Sequence, residues 1–108
     1  MKVSQITFDD LLGIPSVGTI VDRHGRRLTF EEAAARIGEI VILNISTENH
    51  EWFRAVRVLR TATTPDGERR LICERDKGLC YLGERHFRTK NKYRGKCLPE
   101  FSLEVYSV

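Results

Sequence analysis

Six cations, Arg85, Arg88, Lys90, Lys92, Arg94 and Lys96, fall within twelve residues that hold no carboxylate. Five of them, from Arg88 to Lys96, stand at even positions. An extended backbone would project these five from a single face and send Phe87, Thr89, Asn91 and Tyr93 to the other. Cations repeating every ~6.7 Å along one face repel one another unless counter-charge is supplied. A polyanion such as a nucleic-acid backbone supplies it and gains the entropy of released counterions. Phe87 or Tyr93 would then stack on unpaired bases, which favours single strands or RNA loops over regular duplex. In a mobile loop, which Gly95 and Asn91-Lys92 suit equally well, the same cations would still cluster. Two further readings use the same charge: docking on an acidic protein surface, and a solvated loop whose only consequence is solubility.

The charge is local. The chain carries 18 Lys and Arg against 15 Asp and Glu, a net charge of +3. Residues 1–84 hold 12 basic and 13 acidic groups, and the last twelve residues contribute only Glu100 and Glu104. One segment therefore carries the whole excess, as an electrostatic footprint would. With 13 Arg against five Lys, the composition also suits bidentate phosphate or carboxylate recognition. Arg54, Arg57 and Arg60 lie on one expected strand, and Arg69, Arg70 and Arg75 on its hairpin partner. Strict alternation puts Arg57 on the face of Phe53 and Leu59, with Arg54 and Arg60 opposite, so no clean basic face results. These arginines rank below the 85–96 segment. Trp52 with Arg54 is the candidate anchor for a protein partner, since Trp and Arg dominate interface energetics.

Catalytic and metal chemistry find little support. Cys73, Cys80 and Cys97 are odd in number and cannot all pair within the chain. A metal site built from Cys73, Cys80, His86 and Cys97 would need gaps of six, five and ten residues. None is the short C-x₂₋₄-C knuckle that reaches one zinc from a tight turn. The cysteines are read as small apolar fillers, and no metal or cofactor is expected. His24 follows Asp22 at a turn tip, where a leading Asp caps backbone amides. His50-Glu51 has no second His at helical spacing, and nucleophile-elbow, Walker and dinucleotide signatures are missing. No enzymatic activity is expected. A small nuclease made from Asp22, His24, Glu51 or His86 would require folding to bring them together.

The elements that must position these residues follow from caps, turns and alternation. Thr7-Phe8-Asp9-Asp10 begins a short helix that Gly13 and Pro15 end. Thr29-Phe30-Glu31-Glu32 is a capping box, and Phe30, Ala33, Ala34 and Ile37 form one apolar stripe before Gly38. Asp22-Arg23-His24-Gly25, Thr64-Pro65-Asp66-Gly67 and Arg75-Asp76-Lys77-Gly78 each place Gly fourth, suiting a type I turn followed by a left-handed residue. The hairpins so predicted join 17–21 to 26–28, 52–62 to 68–74, and that second strand to 79–82. Ile40–Ile45 is apolar on both alternating faces and reads as a central strand covered on both sides. Phe101, Leu103 and Val105 alternate with Ser102, Glu104 and Tyr106, the pattern of a half-buried closing strand.

A chain of 108 residues with 41% hydrophobic content is the size of one domain, taken as 1–108, and is not disordered as a whole. Its longest aliphatic run, Ile40–Leu43, is far short of the ~20 residues that span a bilayer, so no membrane partner is expected. The first ten residues hold two aspartates and no apolar core, so no secretory leader is expected and the chain is read as cytoplasmic with reduced thiols. The expected fold is α+β, a small antiparallel, barrel-like sheet of about five to six strands with one or two short helices. The expected function is non-enzymatic nucleic-acid binding through Arg85, Arg88, Lys90, Lys92, Tyr93, Arg94 and Lys96. The runner-up is an inhibitor or adaptor of the kind phages and mobile elements carry, occupying a protein partner such as a nucleic-acid-handling complex.

Overall fold

The computed structural model describes residues 13–47, 50–87, 92–93 and 101–108, with backbone alone at 86, 92, 93, 101 and 102. The short helix predicted to begin at Thr7 lies outside the described residues. The remainder is an antiparallel sheet with one short helix. In chain order the elements are α1 (Phe30–Ala34), β1 (Ile40–Thr47), β2 (Glu51–Thr63), β3 (Arg69–Arg75), β4 (Gly78–Gly83), a 3-10 turn (Glu84–Phe87), β5 (Lys92–Tyr93) and β6 (Phe101–Tyr106). The strand order is β4-β3-β2-β1-β6-β5. This order has two free ends, so the sheet is open and the barrel-like closure is not found. An edge pair of only two residues, Lys92–Tyr93 on Phe101–Ser102, offers little length along which to curl the sheet shut.

β1 sits at the centre because its sequence is apolar on both sides. Val41 and Leu43 point into one core with Leu28, Phe30, Ala33, Val56, Val58, Leu71, Cys73, Leu82 and Val105. Ile40 and Ile42 point the other way, into a smaller core with Ala55 that Ile14, Val17, Val21, Phe53 and Tyr106 cover. Val41 and Ile42 are both 0% exposed. Burying such side chains contributes about 1.5–3 kcal/mol each, so this strand is fixed by its two covers.

The covers come from the segment preceding β1, and here the predicted 17–21 to 26–28 hairpin fails. Ile20 forms an isolated bridge to Arg54, and Arg27 one to Tyr106. The Val21 N–H donates to Phe53 O at 2.8 Å, and the Leu28 N–H to Val105 O at 2.8 Å. The two halves thus extend along different strands, β2 and β6, and residues 22–25 cross the face between them as a strap. Gly25 is not left-handed, unlike Gly67 and Gly78 (φ 91° and 124°) in the two hairpin turns that do form. A Cβ at Gly25 would collide with Ser107 Oγ, and the Gly25 N–H donates to Ser107 O at 2.8 Å. Close approach of the strap to the chain just beyond β6 accounts for this glycine, and turn conformation does not.

α1 begins as predicted: Glu32 N–H donates to Thr29 Oγ1 at 3.2 Å and Thr29 N–H to Glu32 Oε1 at 3.0 Å. It ends earlier than the apolar stripe implies. Gly38 N–H donates to Val58 O at 2.7 Å and Val58 N–H to Glu39 O at 2.9 Å, so β1–β2 pairing captures the chain just beyond Ile37. Ile37 is left 56% exposed. A bulge between Val58 and Arg60 breaks the strict alternation of β2, placing Arg57 opposite Glu74 and Arg60 opposite Ile72. Glu74 and Ile72 share a face of β3, so Arg60 joins the side of Arg57, contrary to the sequence-based assignment.

Among the described residues no helix is long and apolar enough to cross a membrane.

Candidate nucleic-acid interface

One end of the sheet gathers the termini of four strands. β1 ends at Thr47 and β2 begins at Glu51, the turn being closed by the Thr47 N–H donating to His50 O at 2.7 Å. β6 begins at the same end, with Phe101 opposite Thr47, Ser102 opposite Ser46 and Leu103 opposite Ile45. On its outer side, β5 pairs Lys92 with Ser102 and Tyr93 with Phe101. One row across the sheet therefore runs Glu51, Ser46, Ser102, Lys92. Trp52 stands one residue along β2 from this row, three strand spacings or about 14 Å from β5. The fold thus brings a strand of the basic segment and the most prominent candidate anchor to one end of the molecule.

Trp52 is 39% exposed, and its ring stacks with His50 at 5.5 Å between centroids. On the opposite face of the sheet, Asn44 is 1% exposed in the middle of β1 and reaches the Trp52 backbone. Its Nδ2 donates to Glu51 Oε1 and to the Trp52 carbonyl, each at 3.2 Å. Ser46 Oγ lies 3.3 Å from both Asn44 Oδ1 and Glu51 Oε1, donating to one at a time. A buried amide whose polar groups are satisfied holds its neighbours rigidly, because any displacement leaves a dehydrated donor or acceptor unpaired. Asn44 is a residue that the sequence analysis passed over. Its signal was a lone polar side chain within the apolar run from Ile40 to Ile45.

The individual candidates fall as follows. Lys92 and Tyr93 form a two-residue strand. Arg85 is exposed but belongs to the 3-10 turn, so it is not part of an extended ladder. Arg88, Lys90, Arg94 and Lys96 lie outside the described residues. Phe87 is corrected: it is 7% exposed and meets the Phe30 ring edge-on at 5.4 Å, filling the core and closed to base stacking. Of the two aromatic residues expected to stack, Tyr93 alone is left as a candidate. Arg54 is half-buried on β2, on the face that also carries Val56 and Val58.

Several other arginines serve the fold. Arg69 contacts Glu31 at 2.8 Å and Glu84 at 2.5 Å, and its guanidinium lies 4.6 Å from the Phe30 ring centroid. Arg57 donates to Gly38 O at 2.7 Å and faces Glu74 at 3.7 Å, while Arg26 pairs with Glu32 and Arg27 with Glu104. Five ion pairs take their arginine from positions 26 to 69. They fasten the helix, the strap and the hairpins; of the six arginines on β2 and β3 singled out in the sequence, Arg57 and Arg69 are held in this way.

Among the described side chains, Asp22, His24 and Glu51 are not gathered into one catalytic group, and the side chain of His86 lies outside the described ones. The His24 ring stacks on Phe53 at 4.6 Å and leans on Tyr106 at 4.2 Å, anchoring the strap. Burial, with the Glu104 carboxylate accepting its hydroxyl proton at 3.1 Å, pushes the Tyr106 phenol up from its ordinary range. Glu51 is occupied by Asn44 and Ser46. A cleft of about 440 Å³ beside Asp22 and His24 is floored by Ile42, toward the other end of β1 from Trp52. Among the described residues no three of His, Cys, Asp and Glu converge as metal ligands.

Comparison with known proteins gives no match: no family model fits the chain, and no curated protein or solved structure is detectably similar to it. The functional reading rests on the chain's own geometry.

Proposed function

We propose that the protein is a non-enzymatic, cytoplasmic nucleic-acid-binding protein whose contact surface joins the 85–96 segment to the sheet end carrying Trp52. The observation that supports this most is the register of β5: Lys92 and Tyr93, within the one strongly basic stretch, form an edge strand beside the termini of β6, β1 and β2. Lys and Arg of the segment contact phosphates, and Tyr93 and Trp52 offer rings for unpaired bases. Single strands and RNA loops are favoured because a regular duplex hides base faces from stacking.

A second reading has its own observation. Leu79 and Tyr81 are 46% and 56% exposed on the edge strand β4, an apolar surface suited to a protein partner. An inhibitor or adaptor would use this edge with Trp52 and Arg54.

A titration with a short single-stranded oligonucleotide and its duplex separates the two. The wild type should prefer the single strand, and replacing Arg88, Lys90, Lys92, Arg94 and Lys96 together with Gln should abolish binding. Thermal melting should scarcely change, since surface substitutions cost within about 0.5 kcal/mol each. A folded quintuple variant that binds like the wild type, or a wild type that ignores both oligonucleotides, would refute the nucleic-acid reading.

A further inference from the structure

Cys73 and Cys80 stand directly opposite each other across the β3–β4 hairpin. The turn pairs Arg75 with Gly78, and two steps back along each strand bring the two cysteines to the same side of the sheet. Both are free thiols, and they hydrogen-bond to each other. Their surroundings differ. Cys73 is 0% exposed within the main core, whereas Cys80 is half-buried on β4, an edge strand paired only with β3.

The geometry suits a covalent bond. Opposed residues of an antiparallel pair have Cα atoms about 4.5–5.5 Å apart, inside the window of roughly 4.4–6.8 Å that disulfides occupy. Their Cβ atoms are about 4.5–5.5 Å apart, against roughly 3.5–4.5 Å in a disulfide. Closure therefore asks for an approach of about 1 Å, which an edge strand held on one side can make.

We propose that Cys73 and Cys80 form an oxidisable dithiol site, with Cys80 the entry point for a small disulfide oxidant such as glutathione disulfide and Cys73 the resolving thiol. The Cys80 sulfur attacks one sulfur of the oxidant, forming a mixed disulfide and expelling the first thiolate. Cys73 yields its proton to that thiolate and attacks the Cys80 sulfur, expelling the second thiolate, which takes up the proton that Cys80 released. Two protein thiols lose two electrons, and one oxidant disulfide becomes two thiols. The division of labour follows from the environment. Hydrogen bonding from Cys73, with Arg75 nearby, pulls the Cys80 thiol below its ordinary range, while the same bond and burial push that of Cys73 up. The thiolate is the nucleophile in such exchange, so the more accessible and more acidic Cys80 reacts first. The approach displaces β4, whose exposed Leu79 and Tyr81 flank Cys80.

The test treats the full chain with glutathione disulfide and reads its mass without reductant. Trypsin cuts after Arg70, Arg75, Lys77 and Arg85, so the bond would link the peptides Leu71–Arg75 and Gly78–Arg85. The expected product has lost two hydrogen atoms, carries this linked pair and reverts with dithiothreitol. Cys97→Ser should behave the same, Cys73→Ala should stop at a glutathione adduct on Cys80, and Cys80→Ser should leave position 73 unmodified. An unchanged mass in the wild type, a bond to Cys97, or a stable adduct on Cys73 would overturn the proposal.

Discussion

Replacing Asn44 by Asp exchanges the amide nitrogen that holds Glu51 and Trp52 for an oxygen, and its cost should depend on pH. Asn44 Nδ2 donates two hydrogen bonds, to Glu51 Oε1 and the Trp52 carbonyl. A protonated carboxyl in its place can donate only one, a loss of about 1 kcal/mol. An ionised carboxylate donates none and sets its charge against the Glu51 carboxylate across the present 3.2 Å contact, where unit charges repel by roughly 5 kcal/mol at an effective dielectric constant of about 20. Delocalisation over two oxygens and the exposure of Glu51 reduce this to about 2–3 kcal/mol. The ionised variant should therefore be about 4 kcal/mol less stable than wild type, and the protonated variant about 1. A difference of about 3 kcal/mol raises the folded-state midpoint of the introduced carboxyl by roughly two units, from ~3.9 to near pH 6. For an acid so raised, stability is retained below the unfolded midpoint, is lost as pH climbs through the window between the two midpoints, and levels off above the folded one. Urea melts of wild type and Asn44→Asp should differ by about 2 kcal/mol less at pH 4.5 than at pH 7.5. Equal penalties at the two pH values, or a variant as stable as wild type at pH 7.5, would refute the role assigned to Asn44.

The remaining predictions concern the helix start and the contact surface. Thr29→Ala should cost about 1 kcal/mol in urea melts, and Thr29→Ser almost nothing, because only the hydroxyl that accepts the Glu32 N–H matters to the cap. Hydrogen bonding from the Arg26 guanidinium, with the Thr29 N–H, holds the Glu32 carboxyl down to about 2, so its carbon-detected NMR titration should centre there. A carboxyl so lowered stabilises the fold above its ordinary midpoint of 4.5 and loses that contribution as pH falls toward 2, so Glu32→Gln should flatten stability over that window. Tyr93→Ala and Trp52→Ala should each weaken single-strand binding by about 1–3 kcal/mol in an anisotropy titration. Unchanged melting would show that the lost rings belonged to the surface.

Much of this fold was legible because its signals are local. Gly67 and Gly78, each fourth in a turn, fixed two hairpins, and the second of these also sets Cys73 against Cys80, a consequence that counting two residues back from Arg75 and two on from Gly78 would have revealed. The doubly apolar run of β1 showed its central position, and Thr29 with Glu32 showed where α1 starts. What escaped depends on tertiary geometry. The strap looked like a hairpin because Asp22–Gly25 mimics a turn, yet its flanks find better partners in β2 and β6. Ile37 lost its place in the apolar stripe to β1–β2 pairing, and one bulged residue reversed the face of Arg60. At the candidate site, charge spacing pointed to the segment but could not say that β5 joins the sheet end of Trp52, since register between distant strands leaves no local mark. Phe87 looked like a stacking residue because aromatic side chains read alike whether they face a base or the core.

The salt dependence of oligonucleotide binding tests the central proposal most directly. If about four of the five even-position cations meet phosphates, the logarithm of the single-strand association constant should fall with the logarithm of salt concentration at a slope near −3, from roughly −0.7 per contact. Tyr93→Ala should weaken binding while leaving that slope unchanged, because stacking releases few counterions. A flat response to salt, or no measurable affinity even at low salt, would contradict the assignment of the 85–96 segment as a phosphate-binding surface.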